Sequence, residues 1–197
     1  MDERNDNPLA GYQVLLCVTG GIACYKSADL ASKLTQAGAD VTVAMTDAAQ
    51  RFVTPLTFQA LTGREAYTSL WQASEAYSIR HTSLADRIDL MIVAPATADS
   101  LAKMAVGIAD DLVTTTALAV SGACDILVAP AMNPRMWQAP ATQTNMKTLV
   151  DRGVHVVGPE EGRMACGTVG PGRMTEPVDI LKVVADLLKR TPPRSAG

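Results

Sequence analysis

The sequence predicts an α/β protein, a doubly wound parallel sheet held between helices in three αβα layers. Two observations carry that expectation. Short apolar runs of strand length alternate with longer stretches of helical spacing along the 197 residues. The first run, QVLLCVT at residues 13–19, is apolar almost throughout and flanked by glycine, as a strand covered on both faces is.

The elements follow in order. Residues 22–37 carry helical spacing and stop at Gly38, a suitable helix C-terminal glycine. DVTVAM at 40–45 is the second strand, and the helical stretch 48–63 is broken at Pro55 into two short helices. IDLMIVA (88–94) is a third strand, DILVA (125–129) a fourth and residues 154–157 a short fifth. Helices are expected near 100–106, 110–121 and 141–152, and an amphipathic one over 177–190 closes the chain. Strands separated by helices lie parallel, with right-handed crossovers. Two stretches break the alternation, 62–81 and 158–177; the second holds five glycines and three prolines in twenty residues. A loop that long is usually functional, so 158–177 reads as a lid. The expected organisation is one domain over 10–190, with frayed tails at 1–9 and 191–197.

Composition narrows the function. Hydrophobic residues make up 48% of the chain, too many for disorder. A net charge of −3 without a basic stripe argues against nucleic acid, and 4% aromatics gives no stacking platform for single strands. The polar start has no signal-peptide core, and no apolar run approaches the roughly 20 residues that cross a bilayer. A cytoplasmic protein without a membrane segment is expected. Its four cysteines (Cys17, Cys24, Cys124 and Cys166) include no C-x-x-C pair and are read as reduced thiols. His81 and His155 are the only histidines, too few for a zinc site.

In open parallel sheets ligands bind beyond the carboxyl ends of the strands. Here the first strand ends in Gly20-Gly21-Ile22-Ala23 and opens a helix, where backbone N–H groups can approach an anion. The turn is not a P-loop, because Tyr25 stands where glycine must precede Lys26-Ser27, and it is not a full G-x-G-x-x-G. A mononucleotide phosphate fits it; an ordinary tight turn fits it about as well. The third strand ends in Pro95-Ala96-Thr97-Ala98-Asp99-Ser100, a run that plain helix capping also explains. The fourth ends in Pro130-Ala131-Met132-Asn133-Pro134-Arg135-Met136-Trp137, where apolar side chains beside an amide suit a flat ring and a carboxylate.

These segments, with His81 and Ala165-Cys166-Gly167, resemble the phosphopantothenoylcysteine decarboxylases among the homo-oligomeric flavin-containing cysteine decarboxylases, over about residues 14–177. The resemblance implies a flavodoxin-like sheet, bound FMN and a trimer, or a multiple of trimers, with the site near a subunit boundary. It places Gly20, Gly21, Ile22, Thr46, Thr97, Ala98, Asp99 and Ser100 along the FMN phosphate and ribityl chain, and Ala131 and Met132 by the ring. It makes His81 the catalytic base, Asn133 the holder of the substrate carboxylate with Met136 beside it, and Cys166 the final proton donor. Relatives commonly carry a basic residue and Trp after the histidine; here the base is displaced to Arg87 and the Trp is absent.

The implied reaction turns 4′-phosphopantothenoylcysteine into 4′-phosphopantetheine in coenzyme A synthesis. Direct CO2 loss from cysteine would leave an unstabilised carbanion. Oxidising the thiol to a thioaldehyde supplies an acceptor for the electrons, and the enethiol left behind is then reduced. Histidine suits proton removal near neutral pH, and asparagine holds a carboxylate without a salt bridge that would oppose CO2 departure. Plainer roles exist for each: His81 a surface cap, Cys166 a small apolar filler, Asn133 a turn residue before Pro134. Three other functions are weighed. A prenyl-flavin synthase would share the fold but use dimethylallyl phosphate, and would not need the Met-Asn run. A decarboxylase of peptide C-terminal cysteines needs no final reduction, so Cys166 argues against it. A non-catalytic flavin-binding subunit would typically lack one of His81, Asn133 and Cys166.

Overall fold

The computed structural model describes residues 7–70, 86–163, 167, 169–190 and 192–194. The chain begins β1 (Gln13–Val18), α1 (Cys24–Gln36), β2 (Asp40–Met45), a 3-10 turn (Ala49–Arg51), α2 (Pro55–Thr62) and β3 (Ala66–Tyr67). It continues β4 (Leu90–Ala96), α3 (Ala98–Val106), α4 (Leu112–Ala119), β5 (Asp125–Pro130), α5 (Pro134–Gln138) and α6 (Pro140–Asp151). Last come β6 (His155–Val156), β7 (Glu160–Arg163), β8 (Val169–Arg173) and α7 (Pro177–Leu188).

Six strands form one sheet, ordered β3-β2-β1-β4-β5-β6 and parallel throughout. The five strands expected from sequence are all present, in the 2-1-3-4-5 order of flavodoxin-like sheets. The sixth, β3, is a two-residue edge strand from the stretch that breaks the alternation.

Alternation along each strand divides the core into two layers. Val14, Leu16 and Val18 of β1 face one side with Leu30 and Leu34 of α1, Phe58 of α2 and Ile180 and Val184 of α7. Leu15 and Cys17 face the other with Leu101 of α3, Val113 of α4 and Met146 and Leu149 of α6. Each fully buried Leu, Ile or Phe contributes about 1.5–3 kcal/mol, so both faces must stay covered. α1 ends where the pattern expects, with Gly38 at φ +92 beyond the cap. α2 likewise closes on Gly63 in the left-handed region.

Two expectations change. Leu9 falls in the expected frayed tail but is fully buried, and its N–H donates to the Ala37 carbonyl at 2.9 Å. At the other end the Arg194 N–H donates to Asp89 Oδ1 at 2.8 Å, and its guanidinium meets the Ala123 carbonyl. Residues 1–6, 191 and 195–197 lie outside the described residues. The expected irregular loop at 158–177 is instead largely an antiparallel hairpin, β7 on β8, registering Glu160 with Arg173 and Arg163 with Val169. Gly162 leaves room there for a side chain crossing from β8. A Cβ on it would sit 3.1 Å from Arg173 Nε and 3.4 Å from Cζ, because that side chain lies across it.

Candidate active site

The strand order reverses between β1 and β4, and a cleft of about 1210 Å³ opens beyond the carboxyl ends there. Gly20, Gly21 and Ile22 line it after β1, Thr46 after β2, Thr97, Ala98, Asp99 and Ser100 after β4, and Ala131, Met132, Asn133 and Met136 after β5. Every expected binding residue therefore shares one cleft. His81 and Cys166 lie outside the described residues. Arg87 is exposed and is not part of the lining.

The β1–α1 turn is built to meet an anion. Ala23 precedes α1 and supplies no side-chain cap, and the first turn carries no acid. Among the described residues, the N–H groups of Gly21, Ile22 and Ala23 have no backbone acceptor. Three donors thus converge at the positive end of a thirteen-residue helix. The two glycines differ in kind. A Cβ on Gly20 would fall 2.3 Å from the Ala48 Cβ and 2.9 Å from its carbonyl carbon, so packing excludes it. A Cβ on Gly21 would meet only Thr97 Cγ2, at 3.8 Å. Packing does not require glycine at 21, and the open face leaves room for a ligand against the backbone.

Behind the turn, hydroxyls set the cleft wall. Thr19 Oγ1 donates to the Pro95 carbonyl at 2.6 Å and accepts from the Thr97 N–H at 3.1 Å, tying β1 to β4. Thr97 caps α3 by accepting from the Ser100 N–H at 3.3 Å, so the plain capping role and a place in the cleft coincide. Asn133 is the N-cap of α5: its Oδ1 accepts from the Arg135 N–H at 2.9 Å. Its carboxamide oxygen thereby serves the cap.

Charged residues that sequence reasoning passed over also line the cleft. Lys26, in the first turn of α1, is buried; its Nζ donates to the Met174 carbonyl at 2.9 Å and pairs with Glu176 Oε1 at 2.8 Å. Arg173 pairs with Glu160 at 2.6 Å. Lys103 sits between Asp110 at 3.1 Å and Asp99 at 3.4 Å; the Asp110 hydrogen bond in particular holds its pKa above the usual lysine value. The available signal was charge inside a Gly-rich stretch, as at Arg163, Arg173 and Glu176.

The three described thiols are poor acid–base groups. Burial pushes Cys17 and Cys24 up, and pushes Cys124 up to about 11. Among the described residues no cluster of three or more His, Cys, Asp or Glu could hold a metal. No described helix is long and apolar enough to cross a membrane.

An anion cradle, apolar surface from Ala131, Met132 and Leu112, and a capped amide at a switch point define a binding protein for a phosphate-bearing ring compound. The chain belongs to the Flavoprotein family, whose model matches residues 2–189. It is 51% identical over 170 residues to the coenzyme A biosynthesis bifunctional protein CoaBC of Bacillus subtilis (strain 168), covering 86% of this chain and 41% of that protein. With CoaBC of Escherichia coli (strain K12) it shares 46% over 173 residues, 88% of this chain and 42% of that one. It thus spans less than half the length of these relatives.

Among solved structures, a cysteine-to-serine mutant of PPC decarboxylase complexed with pantothenoylaminoethenethiol matches with TM-score 0.79 and 29% identity, over 88% of this chain and 96% of that one. The FMN-dependent cysteine decarboxylase SpaF matches with TM-score 0.79 and 30% identity, over 92% and 97%. The fold is that of these flavodoxin-like decarboxylases.

Proposed function

We propose that this chain binds FMN and decarboxylates 4′-phosphopantothenoylcysteine to 4′-phosphopantetheine, a step of coenzyme A biosynthesis. The observation that carries the reading is the open face of Gly21 beside three N–H donors without a backbone acceptor, in the cleft that also holds Asn133. That cradle fits one terminal phosphate, and Ala131 and Met132 offer apolar surface for a flat ring. The likeness to CoaBC and to PPC decarboxylase supports the substrate, and the likeness to FMN-dependent decarboxylases supports the cofactor.

Bound there, FMN would supply the two-electron oxidation of the substrate thiol and the later re-reduction that decarboxylation requires. The chain's own residues do the rest. His81 takes a proton as the thiol is oxidised. The Asn133 NH2 group holds the carboxylate without a full counter-charge, so CO2 leaves without breaking an ion pair. Met136, half exposed at the cleft, packs against the substrate. Cys166 returns a proton to carbon, and the segment 158–177 covers the reacting atoms. The protein works in the cytoplasm as a trimer or a multiple of trimers.

The test is reconstitution. Purified protein is expected to be yellow, to release FMN but no FAD on denaturation, and to yield CO2 and 4′-phosphopantetheine by mass spectrometry. Colourless protein that takes up no FMN on titration would defeat the reading.

The glycines give a further check. Gly21→Ala is expected to fold within about 1 kcal/mol of the apoprotein yet to bind FMN at least about tenfold more weakly. Gly20→Ala should instead lose about 1–3 kcal/mol of stability by overpacking Ala48. Thermal melts of the apoproteins and fluorescence titration with FMN separate the two; equal FMN affinity in Gly21→Ala and wild type would remove Gly21 from the cradle.

A further inference from the structure

Four cationic side chains line the described cleft: Lys26, Lys103, Arg163 and Arg173. Three are neutralised in place, Lys26 by Glu176, Lys103 by Asp110 and Asp99, and Arg173 by Glu160. Arg163 is exposed at the end of β7, and its side chain forms no hydrogen bond or ion pair with any described residue. The lining also holds five acids, Asp47, Asp99, Asp110, Asp111 and Glu176. A guanidinium with no partner among the described residues, in an otherwise acid-balanced lining, is where a further anion would be favoured.

The hairpin register tells which end of the cleft Arg163 serves. Its root, Glu160 against Arg173, stands near Lys26 in the first turn of α1, where the anion cradle is. Arg163 is three residues further along β7, roughly 10 Å at the rise of a strand. It pairs with Val169, and the next residue, Gly170, abuts Pro134: a Cβ there would lie 3.3 Å from the Pro134 side chain. Arg163 therefore stands on the side of Asn133 and Met136, away from the Gly21 cradle.

We propose that Arg163 anchors the phosphate monoester of the substrate. The inference rests on the function proposed above, which requires two phosphates in one cleft, the cofactor's and the substrate's. The cradle accounts for the first, and among the described lining residues Arg163 is the cation left for the second. The substrate carboxylate is a poorer partner for it, since a guanidinium paired there would hold back the departing CO2. A planar fork of N–H donors also matches a phosphate that stays bound throughout the reaction.

The experiment compares kcat/KM for pantothenoylcysteine with and without its 4′-phosphate, using FMN-loaded wild type, Arg163→Gln and Arg163→Lys. Wild type is expected to prefer the phosphorylated substrate, and Arg163→Gln to shrink that ratio roughly 10- to 100-fold, mainly through KM. Arg163→Lys should restore part of it, because charge returns without the fork, and added salt should erode the preference of the wild type. An unchanged ratio in Arg163→Gln would overturn the assignment. So would loss of FMN with the ratio intact, which would give Arg163 to the cofactor. Wild type that decarboxylates neither compound would instead sink the proposed function itself, and the anchor with it.

Discussion

Asn133→Asp is expected to stop CO2 release almost completely while the protein folds normally and stays yellow. The N-cap geometry makes this substitution informative. A carboxylate oxygen at this position would accept from the Arg135 N–H as Asn133 Oδ1 does at 2.9 Å, and Asp caps helices as well as Asn. The cap should therefore survive the substitution. The NH2 donor, however, becomes a carboxylate oxygen facing the substrate carboxylate. Two like charges about 4 Å apart at an effective dielectric near 20 repel by about 4 kcal/mol, close to a thousandfold. Thermal melting, FMN absorbance and CO2 release on one preparation test all three parts. Turnover within about tenfold of wild type would take the carboxylate away from Asn133.

Cys166→Ser is expected to separate CO2 loss from product formation. If the thiol delivers the last proton, the serine variant should still oxidise the substrate and release CO2. It should then stop with reduced flavin and an enethiol two hydrogens lighter than 4′-phosphopantetheine. Serine is nearly isosteric but a far weaker acid, and the described thiols Cys17, Cys24 and Cys124 are too strongly held protonated to take over. The likeness to a cysteine-to-serine PPC decarboxylase holding pantothenoylaminoethenethiol supports this expectation. The measurement is anaerobic, following flavin absorbance while mass spectrometry identifies the product. Full yield of 4′-phosphopantetheine at the ordinary rate would return Cys166 to a packing role.

The parallel strands could be read because burial on both faces leaves unbroken apolar runs, as in residues 13–18, with helical spacing between them. β3 could not: Ala66 and Tyr67 are too few to show a period, and pairing with β2 alone makes them a strand. The β7–β8 hairpin hid for the opposite reason. Its glycines and Pro171 signal a loop, while cross-strand register and the Arg173–Glu160 pair hold it extended. The strand-end segments of the site were legible because small residues, Asn133 and the methionines stand where the fold class places ligands. Lys26 was not, since its meaning depends on Glu176, 150 residues away. Leu9 escaped notice as one apolar residue in a polar stretch, though it plugs the core beneath Ala37.

The hairpin is fastened at more than one point. Lys26 grips its root through Glu176 and the Met174 carbonyl, and the Met132 N–H donates to the Gly172 carbonyl at 3.0 Å. Swinging the pair of strands outward as a door would break an ion pair buried on its Lys26 side and a backbone bond together, at a cost of about 2–4 kcal/mol. At equilibrium that leaves roughly one molecule in 30 to one in 1,000 ajar. For nearly all encounters, then, β7 and β8 are standing wall. On the proposed function, substrate would enter through the mouth past Ile22, Tyr25 and Met136, which expose apolar surface there.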